Sequence, residues 1–278
     1  FALVSLAAAL ALAGAGIMVG WMRRRGRAAV GPAHPGLAWY VAAMACLALG
    51  LAAAVLIPWL PDWHMALRAF HVHVNLYGFV GLTAVGTLQV LMPTLSNRPD
   101  PEVGLRLRQD LKWAFAGALA LALGKAFEFD GLVWLGLAGW AWPLVRLGLA
   151  WGRLYGREIL RPSGGEAVLA AALVGFACAL AGAAQGLDQP LVVFLPGFLF
   201  PLVSGAAGHL APVWLRPGVA TPWHEASRRS LNRLGGIRAL LFLSSAVLPV
   251  LGYKCAGIPG LTALFWFLIV FVVWLWRD

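Results

Sequence analysis

Two histidines two residues apart stand in the apolar stretch Arg68-Ala69-Phe70-His71-Val72-His73-Val74-Asn75-Leu76-Tyr77-Gly78. An imidazole carries a lone pair suited to iron or copper, and placing one inside a membrane costs free energy unless it finds a partner. His71 and His73 are therefore ligand candidates. On a regular helix, residues two apart point about 200° from each other, so the two rings would serve different sites. Unwinding of that turn would let them converge, and His64, seven residues before His71, would then join them. A haem iron takes an axial imidazole from one helix face, whereas copper accepts imidazoles from several elements. The competing reading is structural: the rings hydrogen-bond to backbone carbonyls or water and hold helices together. Gly78, Gly81 and Gly86 suit close helix packing, and Gln89, Thr83 and Thr87 suit interhelical hydrogen bonds.

A second histidine element is Gly208-His209-Leu210. If its span starts near Gln189, His209 lies about 30 Å along a regular helix, far from the outer end where His71 sits. One iron could take both only if that span is broken, which Pro196, Pro201 and Gly208 would permit. Arg68, three residues before His71, offers a guanidinium fork for haem propionates; otherwise it snorkels to headgroups. Lys125 is expected to pair with Glu128 one turn away, and Arg146 to snorkel to the inner surface. His34 and His224 fall in loops beside prolines and read as solvated. Cys46, Cys178 and Cys255 show neither CxxC nor CxxCH spacing, which excludes a cysteine zinc site, an iron–sulfur cluster and covalent haem.

These residues need a scaffold, and composition says which. The chain has 278 residues, 61% of them hydrophobic and 12% charged, far from the half-apolar, quarter-charged norm of soluble proteins. Continuous apolar runs, rather than alternating ones, exclude a β-barrel and predict an all-α, polytopic transmembrane helix bundle. Spans are expected near 1–21, 37–60, 66–95, 111–129, 131–151, 166–187, 190–215, 237–253 and 258–276, about nine in all. Basic residues sit in every odd-numbered connection: Arg23, Arg24, Arg25 and Arg27; Arg98, Arg106, Arg108 and Lys112; Arg153, Arg157 and Arg161; Arg216, Arg228, Arg229 and Arg233. The alternate connections, 61–65, 129–131, 187–189 and 254–259, are short and poor in basic residues. The positive-inside rule then puts Phe1 outside and Asp278 inside. The formal charge of +10 is accounted for by loop orientation, so no nucleic-acid partner is implied. The whole of 1–278 reads as one integral membrane domain without an internal repeat, and a segment upstream of Phe1 is missing if the protein begins with Met. The abundance of Ala, Gly and Arg points to a bacterial cytoplasmic (inner) membrane, with lipid as the first partner.

His71-Val72-His73-Val74-Asn75-Leu76-Tyr77-Gly78, followed by Leu91-Met92-Pro93 and Asn97-Arg98-Pro99, resembles the His-x-His-x-x-Leu-x-Gly helix of the NnrS family, and Gly208-His209-Leu210 resembles a Gly-His element of a later helix there. NnrS proteins are polytopic haem- and copper-containing membrane proteins associated with nitric oxide stress, distantly similar to subunit I of the haem–copper oxidases. The likeness covers about 30 residues around the first motif; Val74 and Asn75 stand where the family usually has Glu and Met. It implies haem b, with copper as a second cofactor, held by His71, His73 and His209. It also implies a role in respiratory electron transfer, gas binding or nitric-oxide stress, with a redox protein or respiratory-complex subunits as partners. The oxidase hallmarks, a His-Pro-Glu-Val-Tyr segment and a His-His pair, do not occur, so oxygen reduction by this chain alone is not expected. The alternatives are a transporter or assembly factor for copper or haem, using His64, His71, His73 and Met65 or Met92 as transient ligands, and a metal-free anchor subunit of a respiratory complex.

Overall fold

The structure, a computed structural model, describes residues 2–28, 31, 33–186, 190–253 and 257–277. Phe1, Asp278, the connection 187–189 with Asp188, and Lys254 and Cys255 of the 254–259 connection lie outside the described residues. Every described element is a helix, and no strand occurs among the described residues. Helix α1 (Ala2–Ala28) is followed by α2 (Gly36–Leu56) and a short 3-10 turn at Pro61–Trp63. Helix α3 (His64–His73) runs through a π-helical turn, Val74–Val80, into α4 (Gly81–Leu95). Then come α5 (Val103–Ala126), α6 (Asp130–Ile159) and α7 (Gly165–Ala184). A second composite rod follows: α8 (Pro190–Val193), a π-helical turn at Phe194–Leu199, and α9 (Phe200–Leu215). The chain ends with α10 (Pro222–Leu231), α11 (Gly235–Val250) and α12 (Gly257–Arg277).

Seven of these rods are long and apolar enough to cross a bilayer, and α10 with α11, bent by 41°, makes an eighth if the pair counts as one. The protein therefore has the build of a multi-pass membrane protein in contact with lipid. The helix expected at 111–129 is present as part of α5, but Asp110, Lys112 and Lys125 crowd its most apolar stretch and keep it out of that set.

The chain divides into two compact units, residues 1–89 with 101–146, and residues 90–100 with 147–278. Each contains the same internal plan. In the first unit, α2 packs against the π turn 74–80, and α5 packs against both. In the second, α7 packs against the π turn 194–199, and α11 packs against both. Residues at these contacts recur at one spacing for each pair of corresponding rods. Gly78, Gly86 and Pro93 stand 119 residues before Gly197, Gly205 and Pro212, and Trp39 and Cys46 stand 129 residues before Val168 and Gly175. Gly78 lies against Cys46 and Gly86 against Trp39; correspondingly, Gly197 lies against Gly175 and Gly205 against Val168 and Leu169. Arg106 near the start of α5 matches Arg238 near the start of α11, 132 residues later. The sequence reads without an internal repeat; the parallel lies in how the elements of each unit pack. Its shared positions are a few glycines, a proline and an arginine within helices of uniform Ala, Leu and Val content, too sparse to see without the contacts.

Candidate functional site

Helix α3 is α-helical through both His71 and His73, and the π turn starts only at Val74. The first turn of the rod is not unwound at the His-x-His motif, and the two rings diverge as a regular helix requires. The His71 ring turns to α2: Nδ1 lies 2.7 Å from the Gly50 carbonyl oxygen. Asn75, one turn on, donates from Nδ2 to the His71 carbonyl at 2.7 Å. Its amide packs directly on the Gly50 Cα, where any side chain would collide with it. The His73 ring instead folds back on its own helix, with Nδ1 2.8 Å from the Ala69 carbonyl oxygen. It stacks on the buried ring of Tyr77 at a centroid distance of 6.0 Å.

A carbonyl oxygen only accepts, so Nδ1 carries the proton in both rings and Nε2 of each neutral imidazole carries the lone pair. These are the bonds to backbone carbonyls that the structural reading of the two histidines expects, and they are also those by which carbonyls orient metal-ligating histidines, fixing the tautomer and raising the basicity of the other nitrogen. Both rings are half-buried, while His64 and Arg68 on the same helix are exposed. Among the described residues no three His, Cys, Asp or Glu side chains come together as a metal-holding group. His64, His71 and His73 therefore do not converge into a chelate here; each imidazole would act as a single ligand.

His209 belongs to the second unit, on α9, and is 6% exposed. It lines a cavity of about 280 Å³ together with Leu95, Ser163, Glu166, Arg228, Arg229 and Asn232, all of that unit.

Three other expectations are corrected. His224 is not a solvated loop residue. It is 4% exposed, its Nδ1 accepts from the Thr221 amide at 3.1 Å, and its Nε2 donates to the Arg216 carbonyl at 2.8 Å, so it caps α10 as a Glu would in a capping box. Arg146 does not snorkel freely: it donates to the fully buried Asp110 at 2.5 Å and to Gln109 at 3.0 Å. Lys125 and Glu128 form no ion pair, because α5 ends at Ala126 and Glu128 has a positive φ of 53°, which breaks the helical spacing. Gln89, assigned an interhelical role, accepts from buried Arg106 of α5 at 3.1 Å, and Tyr40 meets Thr87 at 2.8 Å. Sequence reasoning missed Arg238, which is 2% exposed and has no hydrogen-bond partner for its guanidinium. The position matching Gln89 in the second unit is Gly208, so the acceptor that serves Arg106 has no counterpart there; Arg238 stacks on Phe267 at 4.8 Å. Its signal in the sequence was a lone arginine three residues inside an apolar helix.

No family model matches this chain, and no curated protein or solved structure is significantly similar to it.

Proposed function

We propose that the protein binds b-type haem, with copper as the alternative metal, through His71 and His73, and serves respiratory electron transfer, gas binding or the response to nitric oxide. The observation that carries this reading is the pair of Nδ1–H donations to the Gly50 and Ala69 carbonyls, which leaves two half-buried Nε2 lone pairs in an apolar helix. Their divergence favours two centres over one shared chelate. Arg68, exposed at the same end of α3, would face a haem propionate with its guanidinium. When bound, haem would supply one-electron exchange or an open iron position for a diatomic gas. His209, in the other unit, is given no part in that centre.

We read the chain as nine crossings of a bacterial inner membrane, Phe1 outside and Asp278 inside, with α5 as the crossing beyond the apolar set. Its buried charges support this: Arg106 is held by Gln89 and Asp110 by Arg146, which lowers the cost of placing them in lipid.

The test is an optical and metal assay of purified protein. A Soret band with a reducible α band supports haem, and His71→Ala and His73→Ala should remove different components. Loss of one single centre by both substitutions would overturn the two-centre reading. A colourless protein with stoichiometric copper supports a copper transporter or assembly factor, for which exposed His64 and Met65 are suited as transfer ligands. Absence of both metals leaves an anchor subunit. Rapid, cyanide-sensitive oxygen consumption by the chain alone would contradict the expectation that it is no oxygen reductase.

A further inference from the structure

The cavity beneath His209 is lined by three segments that carry or adjoin basic connections: the end of α4, the turn between α6 and α7, and α10. Arg228 and Arg229 project from α10, and Ser163 adds a hydroxyl. Arg228 is held in place by its own Nε, which donates to the His209 carbonyl at 3.3 Å. The His209 side chain, although more than nine-tenths buried, makes no hydrogen bond to any described residue and turns to the cavity. Asn232 donates from Nδ2 to the carbonyls of Gly208 at 3.3 Å and Arg228 at 3.1 Å. Those two acceptors fix the amide's orientation and leave its Oδ1 buried without a donor.

Two guanidinium groups, an unpaired imidazole and a hydroxyl outnumber the two acceptors, the Glu166 carboxylate and Asn232 Oδ1, in a lining suited to a tetrahedral oxyanion, with Arg as the preferred fork and the Oδ1 left to take a hydroxyl of the ester. We propose that this cavity binds a phosphate ester. The charge balance selects the ionic form. Arg228 and Arg229 outweigh the single carboxylate, Glu166, by one positive charge, which favours a monoanionic phosphodiester over a dianionic monoester. A volume of about 280 Å³, many times the ~30 Å³ share of one water, admits the phosphate and its flanking ester carbons. A lipid headgroup and a soluble phosphate compound share this chemistry.

The site is independent of haem at His71 and His73, and its test reads phosphate binding alone. Full-length protein in a maltoside detergent, which brings no phosphate, is titrated with phosphatidylglycerol, glycerol phosphate and inorganic phosphate, with diacylglycerol as the phosphate-free control; binding is read by native mass spectrometry and by thermal shift. Phosphatidylglycerol is expected to bind above diacylglycerol, and Arg229→Gln, at an exposed position, to weaken it about tenfold, the scale of one charged hydrogen bond. Glu166→Gln is expected to tighten binding by removing a repulsive charge. Saturable binding of glycerol phosphate assigns a soluble ligand, and binding of the lipid alone assigns a headgroup; either outcome supports the phosphate site. Equal affinity of wild type and Arg229→Gln for every probe, or weaker binding by Glu166→Gln, overturns it.

Discussion

The Nδ1 hydrogen bonds of His71 and His73 tie the chemistry of two side chains to carbonyls that any residue type could have supplied. This is why the histidines were legible in the sequence and their orientation was not. Rare polar residues stand out in an apolar run, whereas Gly50 and Ala69 look like the rest of their helices. Gly50 is nevertheless specific, because Asn75 packs on its Cα. Gly50→Val is expected to push Asn75 and His71 off α2 and to cost about 1–3 kcal/mol, the usual scale of overpacking, read as a lower Tm in detergent together with a change in any His71-dependent spectral component. Arg238 predicts the opposite sign. An unpaired buried cation opposes folding, so Arg238→Met should raise the Tm of the protein; an unchanged or lower Tm would show that the guanidinium is compensated. His224 gives a third residue-scale expectation. Loss of its cap in His224→Ala should cost about 1 kcal/mol and fray α10, seen as faster amide exchange over Pro222–Leu231.

At the scale of elements, hydropathy located the rods because long apolar runs have few other fates, but α5 lies outside the set apolar enough to cross on composition alone. Two of its charges, Arg106 and Asp110, are buried and meet Gln89 and Arg146 on other helices, while Arg108 and Lys112 are exposed, and pairing across helices leaves no trace in a one-dimensional profile. The Asp110–Arg146 pair makes this testable. Asp110 is fully buried while the Arg146 side chain is 28% exposed, so removing the two partners is not equivalent. Arg146→Met strands a buried carboxylate and should cost about 3 kcal/mol or more. Asp110→Asn leaves an arginine that still reaches Gln109 and solvent, and should cost distinctly less. Comparison of the two unfolding midpoints decides it; equal losses would mean that the pair is not buried as described. The α5–α6 contact has a similar hidden requirement. Gly117 lies against the backbone of Gly136 and Gly139, so a leucine at 117 should force the two helices apart.

For the whole molecule, the sequence yielded the class of architecture and a sidedness rule but not the doubled plan of α2, the first π-containing rod and α5 with α7, the second such rod and α11. The histidines do not follow that doubling: the positions 119 residues after His71 and His73 are Pro190 and Val192, so the His-x-His pair belongs to the first copy alone. The sidedness rule is checked by a cysteine placed at Leu160, which is exposed just beyond α6: an impermeant thiol reagent should not reach it from outside intact cells but should label it in inverted vesicles. The π turn at Val74–Val80 acts as a phase adjuster. Each residue of a helix advances the rod by about 100°, and the wider turn absorbs a mismatch between two demands: above it His71 must meet Gly50, and below it Gly86 must meet Trp39. Deleting a single residue from that turn would let the rod regularise with its two halves still in register, whereas closing the turn to α geometry with every residue kept would swing the imidazoles around the axis by about a quarter of a revolution, so the aim of the two rings is set by the wider turn in the backbone rather than by the histidines themselves.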